Sequence, residues 1–426
     1  MAEVPIALRA PAGAALSAAQ VQGVIEQACP VEDYRDQRVL VIIPDGTRTA
    51  PIGLLFSELH RHLGPLTLAF DILIALGTHQ PMSEQAILNR LEITAKERRG
   101  RFSRVRFFNH AWDNPAALTE VGTLSASEIH TLTGGLFALD VPVEINRMLF
   151  DYDRIIIVGP VFPHEVVGFS GGNKYLFPGV AGPRLLNFFH WLAAVITCPK
   201  IIGHKATPVR RVVDRAAALV RVPKFCFSLV VEGAGLAGLY AGSPEASWEG
   251  ASDQSREGHI VWHDRPYHTI LACAPPMYDE IWTAGKCMYK LEPVLADGGE
   301  LIIYAPHLSE FSVTHGRIIE QIGYHCRDYF IHQWERFQHQ PWGVLAHSTH
   351  VYGVGTYREG VELPRARVTL ATGIAPERCH RVNLGYRSPK TVRPEDFAGR
   401  NAEGVLMLPK AGEILHRLRE PPPWAA

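Results

Sequence analysis

The sequence predicts an α/β protein of two domains with mainly parallel sheets and the active site in the cleft between them. Three observations lead there. Short apolar, β-branched runs recur at Val39–Ile43, Leu66–Leu76, Arg154–Val158, Phe227–Val231, Thr269–Ala272 and Leu301–Tyr304. Helical apolar spacing fills several of the gaps, at Ser83–Arg90, Val209–Val220 and Met288–Leu295. Strands that are apolar throughout, alternating with helices, indicate a sheet buried on both faces, which parallel βαβ connections produce. The third observation is length: 426 residues suit two domains at ~100–200 residues each.

The polar stretch Ser243–His263 reads as a helix and a connection before the run at Thr269. An N-terminal domain is therefore expected over 1–265 and a C-terminal one over 266–400, with 400–418 allowed to return to the first. The tail Glu420-Pro-Pro-Pro-Trp424 is expected to fray, because consecutive prolines cannot continue a helix.

Composition narrows the function classes. Apolar residues make up 47% and charged residues 20%, with Lys+Arg 42 against Asp+Glu 43. That balance lacks the broad basic footprint nucleic-acid binding needs. The opening Met-Ala-Glu-Val-Pro-Ile has no charged-then-apolar leader pattern, and no apolar run of about 18 residues occurs. A cytoplasmic protein with no membrane partner is expected; an oligomer is left open. Seven scattered cysteines without a C-x-x-C pair argue against a disulfide framework or a thiolate zinc site. Histidine is abundant, at 20 residues, and it both titrates near neutrality and binds borderline metals.

Two glycine motifs are decoys. Gly233-Ala-Gly235-Leu-Ala-Gly238 follows a strand and matches G-x-G-x-x-G, but no helix opens within it. The residues after it, Leu239-Tyr240-Ala241-Gly242, read as the return strand of a hairpin. Gly168-Phe-Ser-Gly-Gly-Asn-Lys174 is not a Walker loop, because Asn173 stands where glycine belongs and Tyr175 where Ser or Thr should hold magnesium. Its backbone N–H groups could still bind phosphate.

Ligands of open α/β sheets gather where strands end, and four segments put polar groups there. Asp45-Gly-Thr-Arg48 follows the first long run; its guanidinium could clamp a carboxylate or phosphate. Gly77-Thr-His79-Gln-Pro81 follows the second, with Ser83 as a helix cap. His164 through Phe169-Ser170-Gly171-Gly172-Asn173-Lys174 to Pro178-Gly179 follows the third, and Leu186-Asn-Phe-Phe-His190-Trp191 comes after it. Singly, each has an ordinary explanation: Asp45 and Arg48 stitch a turn, and Lys174 is a solvated charge. Among glycines and aromatics, however, Lys174 could approach a ligand closely with its amine partly desolvated and nucleophilic.

These four segments resemble the nickel-pincer nucleotide-dependent lactate racemase family over nearly the whole chain. The family's Asp-x-Thr-Arg turn, Gly-x-His-x-Pro loop and Phe-Ser-Gly-Gly-x-Lys loop are all matched, as is its sixteen-residue step from lysine to a later histidine, here Lys174 to His190. The resemblance implies a cofactor, pyridinium-3-thioamide-5-thiocarboxylic acid mononucleotide carrying Ni2+. Lys174 would hold it covalently, with Asp45, Arg48, Ser170, Gly171 and Gly172 around it. His190 would complete a square-planar nickel centre, a donor set unlike tetrahedral zinc.

His79 and His164 would be general bases, one per enantiomer, and Arg48 would also meet the substrate carboxylate. The implied reaction is racemisation of a short 2-hydroxy acid such as lactate. Proton-coupled hydride transfer passes through a 2-keto acid, because pulling a proton from a carbon beside a carboxylate is far costlier. The implied partners are the proteins that synthesise the cofactor.

The family's Tyr-Gln-x-x-Lys helix start departs here to Trp282-Thr283-Ala-Gly-Lys286. Trp282, Thr283 and Lys286 remain candidate substrate contacts, with Trp282 as core packing the competing reading. For the family's Asp-Gln-Trp, Trp334 is the nearest match and Trp342 a rival. Thr314-His315-Gly316-Arg317 either meets phosphate or caps a helix. Alternatives are an epimerase of a larger 2-hydroxy acid (malate, an aryl-lactate, a sugar acid such as gluconate) and a zinc hydrolase, which lacks any H-E-x-x-H helix.

Overall fold

The computed structural model describes residues 5–233 and 235–425. The chain divides into two compact units. The first comprises Met1–Phe162, Phe169–Leu186 and Arg210–Gly258; the second comprises Pro163–Gly168, Asn187–Val209 and His259–Ala426.

The first unit is built on a seven-stranded sheet. Its strands are β1 (Ile6–Arg9), β2 (Arg38–Pro44), β3 (Ala69–Ala75), β4 (Phe107–Asn109), β5 (Arg154–Pro160), β6 (Lys224–Glu232) and β7 (Gly235–Gly242), in the order β1-β7-β6-β5-β2-β3-β4. The four ladders from β6 to β4 are parallel, whereas β7 turns back antiparallel on β6 and β1 adds to its edge. The G-x-G-x-x-G stretch is thus the start of a hairpin return strand, as its sequence implies; Ala234 at the turn lies outside the described residues.

Strand β2 is buried from Val39 to Pro44 and β5 from Ile155 to Pro160, which explains their unbroken apolar reading. Helix α1 (Ile52–Leu63) buries Ile52, Leu55, Phe56, Leu59 and Leu63, one stripe at helical spacing. No side chain caps its start. Burial, at ~1.5–3 kcal/mol per large apolar side chain, therefore holds it. Helix α2 (Glu84–Arg90) has Ser83 accepting from the Ala86 amide, the anticipated cap.

Helix α3 (Pro183–Ile196) follows, and then α4 (Pro208–Ala217) and α5 (Pro244–His259).

The second unit holds a five-stranded sheet of β8 (Tyr267–Cys273), β9 (Leu295–Ala305), β10 (Arg367–Thr372), β11 (Gly385–Tyr386) and β12 (Val405–Leu408), ordered β11-β10-β9-β8-β12 and parallel at every ladder. Its helix α6 (Trp342–Tyr352) is buried from Gly343 to Tyr352.

Three expectations are corrected. The boundary falls at Gly258–His259, near 265, but His164 and His190 belong to the second unit. Residues 400–418 do not return to the first: β12 pairs with β8, and Leu415–Leu418 pairs with Ile260–His263. The tail is not frayed, because the Trp424 ring lies 3.8 Å from the Arg365 guanidinium and the Ala425 carbonyl accepts from Arg417 at 3.0 Å. Among the described residues all seven cysteines are free, and no helix is long and apolar enough to cross a membrane.

Trp424→Ala should remove the cation–π contact, costing about 1–2 kcal/mol, and expose the C-terminus. Limited proteolysis read by intact mass checks this; tail cleavage at the wild-type rate would show that the contact anchors nothing.

Candidate active site

Neighbouring parallel strands β2 and β3 pair Pro44 with Ala75, so the segments that leave them emerge side by side. Asp45 and His79 meet there. The Asp45 carboxylate takes the Thr47 amide and hydroxyl on Oδ1, at 3.0 and 2.7 Å, and His79 Nδ1–H donates to Oδ2 at 2.5 Å. Burial pushes the Asp45 carboxyl up; the charge and hydrogen bond of His79, with the two bonds from Thr47, outweigh this and hold it below its usual range. With Nδ1 spent on the carboxylate, the neutral His79 ring presents its lone pair at Nε2, the arrangement of a general base.

The loop carrying Lys174 is tied to this corner. Gly77, at φ +57°, donates its amide to the Gly179 carbonyl at 3.0 Å. Within 169–182 every residue is buried except Lys174. Arg210 and Trp248 produce that enclosure: Arg210 Nη2 donates to the Phe169 carbonyl at 2.6 Å, Trp248 Nε1 donates to the Ser170 carbonyl at 3.0 Å, and the guanidinium lies 4.0 Å from the indole ring. Asn173 Nδ2 donates to Asp214 and Glu245.

Ser170 is spent inside the loop. Its Oγ donates to the Pro160 carbonyl at 3.0 Å and accepts from the Phe162 amide at 2.9 Å. The glycines also face protein: a Cβ on Gly171 would lie 2.5 Å from Val161 Cγ2, and one on Gly172 would lie 2.8 Å from the Pro244 carbonyl oxygen. Ser170, Gly171 and Gly172 thus build the platform from which Lys174 projects. Arg48 is 8% exposed, its guanidinium 5.9 Å from the Phe162 ring, and its Nη1 is buried without a hydrogen-bond partner among the described residues.

The second unit gathers the remaining candidates. Buried His164 accepts the Val166 amide on Nδ1 at 3.1 Å, so the neutral ring carries its proton on Nε2, the opposite tautomer to His79. Glu165 Oε2 stands 3.4 Å from the same Nδ1 and supports the ring when it is protonated.

His190 is partly exposed on α3, with the Phe189 ring stacked at 4.7 Å. It neighbours two histidines that the sequence reading missed, His347 and His350 on α6. Burial drives His347 well down, with His350, His315 and His190 adding to it; burial takes His350 down to about 4, opposed by Glu165. Their H-x-x-H spacing was the available signal, but neutral buried imidazoles are packing groups here. Trp282 lies against His315 and His347, with ring centroids 4.5 and 4.1 Å away.

Thr283 is 3% exposed and its hydroxyl donates to the Glu280 carbonyl at 2.9 Å, closing a helical turn. Lys286 is buried with Nζ 4.8 Å from the Tyr278 ring. Trp334 stacks on Trp191 at 5.3 Å, next in sequence to His190, whereas Trp342 spends its indole N–H on the Gln338 carbonyl. His315 stands at the N-cap position of the helix Gly316–Ile322, whose start no side chain caps.

The groups suit a cofactor that brings most of its own ligands. Lys174 is the one partly exposed residue of a packed loop, and among the described residues no three His, Cys, Asp or Glu side chains gather to hold a metal. A protein-only zinc site therefore has no ligand set.

The lactate racemase N-terminal domain family matches residues 20–200. Lactate racemase from Thermoanaerobacterium thermosaccharolyticum is 24% identical over 285 residues, 63% of this chain and 60% of the relative. That from Lactiplantibacillus plantarum is 23% identical over 276 residues, 63% of this chain and 59% of the relative. The match thus spans about 60% of the length of these curated relatives. A crystal structure of a protein from Thermotoga maritima superposes with TM-score 0.88 at 34% identity, covering 97% of this chain and 100% of that one. The lactate racemase apoprotein from T. thermosaccharolyticum shares the fold, with TM-score 0.67 at 18% identity over 93% of each chain.

The lowered pKa of Asp45 contributes stability above the unfolded carboxyl value of ~4, lost as pH falls through the folded one. His79→Ala leaves burial unopposed by the histidine and moves the Asp45 pKa up. The variant should lose about 2 kcal/mol at pH 7, with a smaller deficit at about pH 4, where an ordinary carboxyl is half protonated and the native Asp45 still ionised. Thermal denaturation at both pH values measures this; equal deficits would refute the coupling.

Proposed function

Because the chain belongs to the lactate racemase family, we propose that it is a nickel-pincer nucleotide-dependent racemase of short-chain 2-hydroxy acids. The observation that carries this reading is the Asp45–His79 pair, an oriented base beside the loop that presents Lys174. Lys174 would hold the nucleotide covalently and His190 would ligate its nickel. When bound, the group supplies an acceptor for the C2 hydrogen as hydride.

The chain's own side chains do the rest. Arg48 binds the substrate carboxylate, and Lys286 adds positive charge toward it. His79 takes the hydroxyl proton at Nε2 as the substrate reaches the 2-keto acid level, and Asp45 stabilises the imidazolium that forms. His164, backed by Glu165 when protonated, returns a proton from Nε2 as the hydroxyl re-forms with opposite handedness. His164 enters this step as the imidazolium, its Nδ1–H facing Glu165 Oε2 at 3.4 Å, so that giving up the Nε2 proton leaves a neutral ring. Trp282 closes down the space for the substituent at C3 and favours small substrates; Trp334 fixes the wall beside His190. Proteins that make the nucleotide are the required partners, since nothing in this chain synthesises it.

Protein co-produced with that machinery should carry a pyridinium adduct on Lys174, visible by intact mass and absent in Lys174→Ala. With a single-enantiomer 2-deuterated 2-hydroxy acid, the loaded protein should invert C2 and keep the label; wash-out into water would contradict hydride transfer. His79→Ala should slow inversion by about 10²–10⁴-fold.

A further inference from the structure

Arg90 is the last residue of α2 and was not singled out by any motif. Its Nη1 donates to the Ala50 carbonyl at 3.3 Å, in the segment just after Arg48. Its Nε and Nη2 are buried and have no hydrogen-bond partner among the described residues. These two atoms form the side of a guanidinium that grips an oxyanion with parallel N–H bonds. Arg106 uses the same edge within this chain, its Nε and Nη2 converging on one oxygen, Asp71 Oδ2, at 3.1 and 2.6 Å. On Arg90 the same edge is empty.

The chain's nearby acidic groups do not fill it. Asp45, Tyr175 and Glu92 all favour the Arg90 charge against burial. Yet Asp45 spends Oδ1 on Thr47 and Oδ2 on His79, and the Tyr175 hydroxyl donates to the Pro160 carbonyl at 3.3 Å. Tyr175 also feels the charges of Arg48 and Arg90 together, and Arg48 Nη1 is itself buried and unbonded. Two guanidiniums with unsatisfied N–H groups thus flank one corner, where each unmade bond to a buried charged group is costly.

We propose that Arg90 and Arg48 form an oxyanion subsite, taking a carboxylate or phosphate on the Nε/Nη2 edge of Arg90. Two sources share that chemistry: the phosphate of a mononucleotide, or the second carboxylate of a dicarboxylic 2-hydroxy acid. The subsite deepens the reading of this corner as a ligand site, but its test needs no racemisation.

Full-length protein, prepared without cofactor, is titrated calorimetrically with inorganic phosphate, malate and lactate, alongside Arg90→Gln and Arg90→Lys, each checked for folding by circular dichroism. Phosphate or malate should bind wild type saturably, and Arg90→Gln should weaken that binding by about tenfold or more. Arg90→Lys keeps the charge without the fork and should fall between them; it decides the matter if Arg90→Gln does not fold. Phosphate binding without preference for malate over lactate assigns the phosphate source, and malate bound more tightly than lactate assigns the second carboxylate. If wild type binds neither, or if both folded variants bind like wild type, the subsite is overturned. Failure of the racemase reading would show separately, as no inversion by loaded protein while oxyanion binding persists.

Discussion

A carboxylate buried at the end of a parallel strand has to find a partner, and Asp45 finds it in His79 on the adjacent strand's exit. The β2–β3 register places the two segments together, and the hydrogen bonds of Thr47 and His79 then make an ionised Asp45 cheaper than a neutral one. The histidine's tautomer follows from that bond. A lone histidine in a loop has no preferred nitrogen; one whose Nδ1 is held by a carboxylate presents Nε2. The chemistry of this corner therefore descends from strand register.

The lysine loop obeys a different constraint. Its backbone is enclosed, so its carbonyls need internal donors, and Arg210 and Trp248 supply them. Glycines at 171 and 172 allow the close packing on Val161 and Pro244 that a Cβ would prevent. Such a loop cannot shift easily, and its one partly exposed residue is Lys174. A rigid platform beneath a partly exposed lysine is what the proposed covalent attachment would require.

Within the second unit the imidazoles divide by surroundings. His347 and His350 are buried, neutral and packed against aromatic rings; His190 remains partly exposed on its helix. Residue type alone would rank these three alike. Desolvation separates them, because it penalises the charged form of a ring that cannot reach water.

The sequence by itself determined the α/β class, the decoy hairpin and the strand-end positions of Asp45, Arg48, His79 and Lys174, because burial on both faces and glycine punctuation leave local patterns. The sixteen-residue step from Lys174 to His190 was equally legible. Only the tertiary structure decided what those groups touch. Asp45 and His79 stand 34 residues apart, Ser170 and Thr283 turn out to spend their hydroxyls on backbone carbonyls, and the tail docks through Trp424 onto Arg365, far back in the chain. Arg90 looked like any basic residue closing a helix. Its empty fork became visible once the fold had buried two of its nitrogens without giving them a partner, and hydrogen-bond satisfaction between distant segments leaves no periodicity for a sequence to display.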